Sequence, residues 1–226
     1  MEVTTIGLDI AKRVFQAHGV DATGRALVRR RLGRAEVLDF FRALRPCLVG
    51  IEACGTAHHW AREIRAFGHE VRLIPAAYVK PYVKRGKTDA ADAEAICEAV
   101  TRPTMRFVPV KTAEQQAVLM LHRTRDLLVR QRTALVNALR GHLAEFGIVA
   151  PQGMSRVADL LAVLLGEDEA TLPPLARHAL RGLAAELEAL GKRVDEIEAA
   201  TSSSADPRWS RPSRRPTRRH GSSGRC

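Results

Sequence analysis

Strand-like runs stop after Ile74, and that change divides the chain. Up to Ile74 short, β-branched runs alternate with helical stretches between turn residues; from Glu114 apolar residues recur at helical spacing alone. Thr4-Thr5-Ile6-Gly7-Leu8-Asp9-Ile10 reads as a strand with Asp9 near its end. Val14 to Val20 alternates loosely, and Asp21-Ala22-Thr23-Gly24 is a turn signal, so Ala26 to Arg31 returns as a third antiparallel strand. Ala35 to Leu44 places Val37, Leu38, Phe41 and Leu44 on one helical face. Cys47 to Ile51 is a short buried strand that delivers Glu52. Ala57 to Phe67 reads as a helix closed by Gly68, and Val71 to Ile74 as a fifth strand. The predicted order is βββαβαβ. A basic, Pro-containing stretch from Tyr78 to Lys87 then leads into a helix over Asp89 to Val100.

The second half obeys a different rule. Glu114 to Phe146 lacks Pro, and Leu121, Leu128 and Leu135 stand seven apart, with Leu139 and Phe146 extending the stripe. Leu183, Leu187, Leu190, Val194 and Ile197 recur at intervals of 4, 3, 4 and 3, a coiled-coil seam over two heptads. The two helices are expected to pack antiparallel; a three-helix bundle leaves the same pattern. Residues 201–226 hold seven Arg against one Asp and almost no apolar residue, too little to build a core. The expected divisions are an α/β domain over 1–110, a helical, coiled-coil arm over 111–200, and a disordered basic tail over 201–226.

A net charge of +11 points to a polyanionic partner, nucleic acid first. The four Cys form no C-x-x-C pair, which argues against a structural zinc site and for free thiols in a reducing, cytoplasmic setting. No apolar stretch approaches the roughly twenty residues a membrane span needs.

Four carboxylates stand out by position. Asp9 ends the first strand and Glu52 the fourth, so neighbouring strands would bring both to one end of the sheet. Asp89 and Asp92, three apart at a helix start, project from one face. Hard oxygen ligands gathered in this way suit Mg²⁺ or Mn²⁺, which assist phosphodiester chemistry. Taken singly, each has a plainer explanation as turn former, cap or helix-terminal charge. Lys80, Lys84, Arg85 and Lys87 lie just before Asp89, and Arg123, Arg130 and Arg140 lie along the long helix. All are candidates for holding a nucleic-acid backbone, and a solvated charged surface is the alternative.

Ile6-Gly7-Leu8-Asp9-Ile10-Ala11-Lys12, Gly50-Ile51-Glu52-Ala53-Cys54-Gly55 and Lys87-Thr88-Asp89-Ala90-Ala91-Asp92-Ala93-Glu94-Ala95-Ile96 resemble the DEDD transposases of bacterial insertion sequences. Arg132 to Pro151 resembles the helical arm of that family, and the likeness runs over roughly residues 4–200. The resemblance implies a ribonuclease-H-like, RuvC-like domain with a mixed five-stranded sheet. It makes Asp9, Glu52, Asp89 and Asp92 the catalytic, metal-binding tetrad, with Mg²⁺ or Mn²⁺ as cofactor. It also implies DNA recombination (DNA transposition) on element ends and target, a structured guide RNA, homo-oligomers and a C-terminal domain carrying a nucleophilic Ser. That last domain has no counterpart after about Pro207-Arg208, where the sequence resembles out-of-frame translation; a truncated or frameshifted transposase is therefore expected. The alternatives are a metal-dependent DNA nuclease or junction resolvase acting with the tetrad alone, and an inactive nucleic-acid-binding fragment. An actin-like ATPase shares the opening strands but would need a second Gly-rich phosphate loop that this chain lacks.

Overall fold

The computed structural model describes residues 2–83, 89–149 and 172–203. They belong to two compact units, residues 1–116 and 117 onward. The expected basic tail lies almost wholly outside the described residues.

The first unit is α/β, built on a mixed five-stranded sheet of order β3-β2-β1-β4-β5. Its strands are β1 (Thr5–Asp9), β2 (Val14–Val20), β3 (Ala26–Gly33), β4 (Leu48–Glu52) and β5 (Glu70–Ile74). β1, β2 and β3 form an antiparallel meander. β4 and β5 join parallel to β1 and to each other. This arrangement is consistent with a ribonuclease-H-like fold. The β2–β3 turn is held by Asp21, whose Oδ1 accepts from the N–H groups of Thr23 (2.9 Å) and Arg25 (3.0 Å) and from the Thr23 hydroxyl (2.6 Å). Gly24 takes the positive φ of 83° that a side chain would oppose.

Alternation along the strands assigns the faces. Ile6, Leu8, Phe15, Leu32, Val49, Ile51, Val71 and Leu73 are buried together with Val37 and Phe41 of α1 (Val37–Arg42) and Ala57, Trp60, Ala61 and Ile64 of α2 (Ala57–Arg65). The opposite face carries α4 (Asp89–Val100), which packs on β1, β2 and β4. Buried His69 ties β4 to α1: its Nδ1 accepts the Cys47 N–H at 3.1 Å, so the proton sits on Nε2, which donates to the Phe41 carbonyl at 2.9 Å.

The start of the basic, Pro-containing stretch after β5 is helical. α3 (Ala76–Val79) and a 3₁₀ turn (Lys80–Tyr82) follow Pro75 directly. Pro81 lies in the first turn of the latter, where no helical N–H is required, so it does not break the segment. Beyond α4 the chain returns to the β5 edge, where Val108 N–H donates to the Leu73 carbonyl at 2.8 Å.

The second unit contains most of α5 (Ala113–Ala144) and α6 (Pro174–Ser203). Val136, Leu139 and Leu143 of α5 bury against Leu180, Ala184 and Leu187 of α6, and Arg125 pairs with Glu198 at 2.5 Å. Higher α5 numbers meet lower α6 numbers, so the helices run antiparallel. Phe146 does not extend the α5 stripe: it is 41% exposed, and Leu143 takes the buried position. The helix ends at Ala144, two residues before Phe146, and the chain turns at Gly147 with φ of 75°.

Candidate metal centre

Two glycines bring the carboxylates together. A Cβ on Gly7 would lie 2.1 Å from the Ala93 carbonyl and 2.3 Å from the Cys97 N, and one on Gly50 would lie 2.8 Å from Val100 Cβ. α4 therefore seats flush on the sheet. Asp9 and Glu52 stand two residues beyond these glycines and so share their face. The parallel register pairs Leu8 with Ile51, which leaves Asp9 and Glu52 side by side where both strands end. The N-terminal turn of α4 arrives at the same end, carrying Asp89 and Asp92.

One oxygen each from Asp9, Asp89 and Asp92 lies within 4.8 Å of the others. Glu52 is outside this tight group, though near enough to act on Asp9 electrostatically. Burial, reinforced by the charges of Asp92, Asp89 and Glu52, pushes the Asp9 carboxyl up to about 6, against the opposing hydrogen bond from Ile10 N–H. Three oxygen donors that repel one another at this spacing fit a hard divalent cation, which would relieve the repulsion. Among the described residues no other group of three potential ligands comes as close together. Cys54, His58 and His59 do not form one. His58 instead accepts the Lys111 N–H at 3.2 Å, and burial with the charges of Lys111 and Arg62 lowers its pKa. Burial raises both Cys47 and Cys97 to about 11, so neither thiol is a nucleophile near neutral pH.

The basic candidates divide. Lys80 is exposed on the 3₁₀ turn; Lys84, Arg85 and Lys87 lie outside the described residues. Arg123 and Arg130 are exposed on α5, whereas Arg140 is half-buried and already engaged within the molecule. Sequence reasoning passed over Gly7 and Gly50. The signal was present: both strands read apolar-Gly-apolar-acid, Ile6-Gly7-Leu8-Asp9 and Val49-Gly50-Ile51-Glu52.

A family model for DEDD transposases of IS110 type, described as Transposase, matches residues 6–148. The chain is 55% identical over 199 residues to a probable family 20 transposase of Pseudomonas aeruginosa, covering 88% of this chain and 59% of that protein. It is 41% identical to the transposase for insertion sequence element IS1328 of Yersinia enterocolitica (87% and 58% covered). It is 40% identical to the transposase for insertion sequence element IS1111A of Coxiella burnetii (91% and 57% covered). The chain thus spans under two thirds of the length of these relatives.

Proposed function

This chain belongs to the DEDD transposase family of insertion sequences, and from that premise we propose that it serves DNA transposition through a metal-dependent phosphodiester site made of Asp9, Glu52, Asp89 and Asp92. The observation that carries the reading is the convergence of three carboxylate oxygens within 4.8 Å at the sheet end. Asp9, Asp89 and Asp92 would hold Mg²⁺ or Mn²⁺, and Glu52 would complete or orient the set. The bound cation would supply Lewis acidity toward a phosphate oxygen. The residues themselves fix the geometry. Asp9 is held by its strand, and Asp89 and Asp92 by the first turn of a helix that Gly7 and Gly50 allow close to the sheet. The DNA of the element's ends and target is the proposed substrate, with a structured guide RNA and further copies of the chain as partners. Lys80, Lys84, Arg85, Lys87, Arg123 and Arg130 are proposed backbone contacts, and Arg140 a weaker one because it is already engaged.

Calorimetric titration with Mn²⁺, beside processing of element-end DNA, tests the site. Wild type should bind the ion, and Asp9→Asn and Asp92→Asn should abolish binding and processing together. Glu52→Gln should weaken binding by roughly tenfold or more, the range seen when groups supporting a metal site are lost. Unchanged Mn²⁺ affinity in Asp9→Asn would remove the metal site from the account.

A further inference from the structure

β3 is an outer strand of the sheet, and it carries Arg29, Arg30 and Arg31 in succession. Their side chains alternate between faces. Arg30 lies over the Phe40 ring at 5.5 Å, and Arg34, just beyond the strand, lies over Trp60 at 5.0 Å, so both are committed to aromatics on the α1–α2 side. Arg29 and Arg31 face the other way. Both are exposed, and neither side chain has an ion-pair or hydrogen-bond partner among the described residues.

The register says what they face. Arg31 pairs with Gln16, and Gln16 with Asp9; Arg29 pairs with His18, and His18 with Gly7. Residues directly opposite in antiparallel strands share a face. Arg31 thus belongs to the same cross-strand row as Asp9, about 10 Å away across two strand spacings. Arg29 follows about 7 Å along the strand, the axial length of two nucleotides in a nucleic-acid strand. Lys12 and Arg13, both exposed, lie in the connection just after Asp9.

We infer that Arg29 and Arg31 form a phosphate track that binds the backbone of the DNA entering the carboxylate site, holding phosphates a few nucleotides from the one that reaches Asp9. The inference rests on the proposed function. Charged side chains on an outer strand also discourage edge-to-edge pairing. Edge protection, however, gives no reason for the two β3 arginines that have no partner among the described residues to share the carboxylate face, whereas a track to that site does.

The test is the salt dependence of binding to a labelled mixed-sequence DNA duplex, measured on the full chain. Each lost phosphate contact lowers the slope of log affinity against log salt by about 0.9. The Arg29→Ala/Arg31→Ala double variant should lose about 1.8 in slope and bind more weakly, while keeping wild-type Mn²⁺ affinity. Arg30→Ala should keep the wild-type slope, because its guanidinium sits on Phe40. A slope equal to wild type in the double variant, with wild type itself binding DNA, overturns the track and leaves the proposed function standing. A slope lost only on an RNA duplex of the same sequence overturns the commitment to DNA. Wild type that binds no DNA overturns both.

Discussion

Asp9 concentrates the electrostatic problem of the site in one carboxyl. Its folded-state value of about 6 lies above the ordinary 3.8, so the metal-free folded chain retains a proton that the unfolded chain releases. Asp9's contribution to stability is therefore complete below pH 3.8 and is lost as the pH rises through about 6. The metal-free chain should melt at progressively lower temperature across that window because of Asp9, and Asp9→Asn should flatten the dependence. Adding Mn²⁺ well above pH 6 should raise the melting temperature. The rise should shrink below pH 6, where the proton competes for the same oxygens, and should vanish in Asp9→Asn. Thermal melts with and without the ion check both signs; an equal Mn²⁺ effect in Asp9→Asn refutes the assignment. At this scale the sequence was legible in part. Asp9, Asp89 and Asp92 could be singled out because strand ends and helix starts are readable from local pattern. Glu52's place just outside the tight group, and the face that Arg29 and Arg31 share with Asp9, depend on cross-strand register, which local pattern does not reveal.

At the scale of elements, the seat of α4 decides whether the carboxylates meet. Gly7 is closed to any side chain, since its added Cβ would meet helix backbone rather than a movable side-chain end. Gly7→Ala should therefore cost about 1–3 kcal/mol, as overpacking of a tight contact typically does. If α4 moves to relieve the clash, Asp89 and Asp92 move with it, so Mn²⁺ affinity should fall as well. Gly24→Ala gives the contrast: its Cβ would meet nothing, so any cost comes from its positive φ alone, and metal affinity should hold. Titration calorimetry and chemical denaturation separate the two, and wild-type Mn²⁺ affinity in Gly7→Ala would show that the glycine does not set the site. The strands were legible because alternation marks them. The helical turns over residues 76–82 were not, because elements of four and three residues are too short to show a helical period. The α5 stripe was misplaced at its end because a seven-residue repeat extrapolates to Phe146, past the helix end at Ala144.

At the scale of the whole molecule, the described hydrophobic clusters are disjoint. Those around the sheet use residues from Val3 to Val110, whereas the helical cluster joins Leu135, Val136, Leu139 and Leu143 to Leu172, Leu180, Leu183, Ala184 and Leu187. Among the described residues none belongs to both groups, so the carboxylate cluster and the helix pair rest on separate cores. Each core should therefore respond to its own perturbation. Leu187, 3% exposed, fills the α5–α6 contact, and Leu187→Ala should remove about 2–5 kcal/mol from the helical unit, the usual cost of truncating a buried leucine. Mn²⁺ should instead stabilise the α/β unit, by about 2.7 kcal/mol when the free ion stands at a hundred times its dissociation constant. Calorimetric unfolding should show two transitions, one lowered by Leu187→Ala and the other raised by Mn²⁺. A single transition moved by both would mean that the units unfold as one. Under separate unfolding, a destabilised helical pair would leave the carboxylate site formed, and Leu187→Ala would retain wild-type Mn²⁺ affinity at temperatures where the helical unit has already melted.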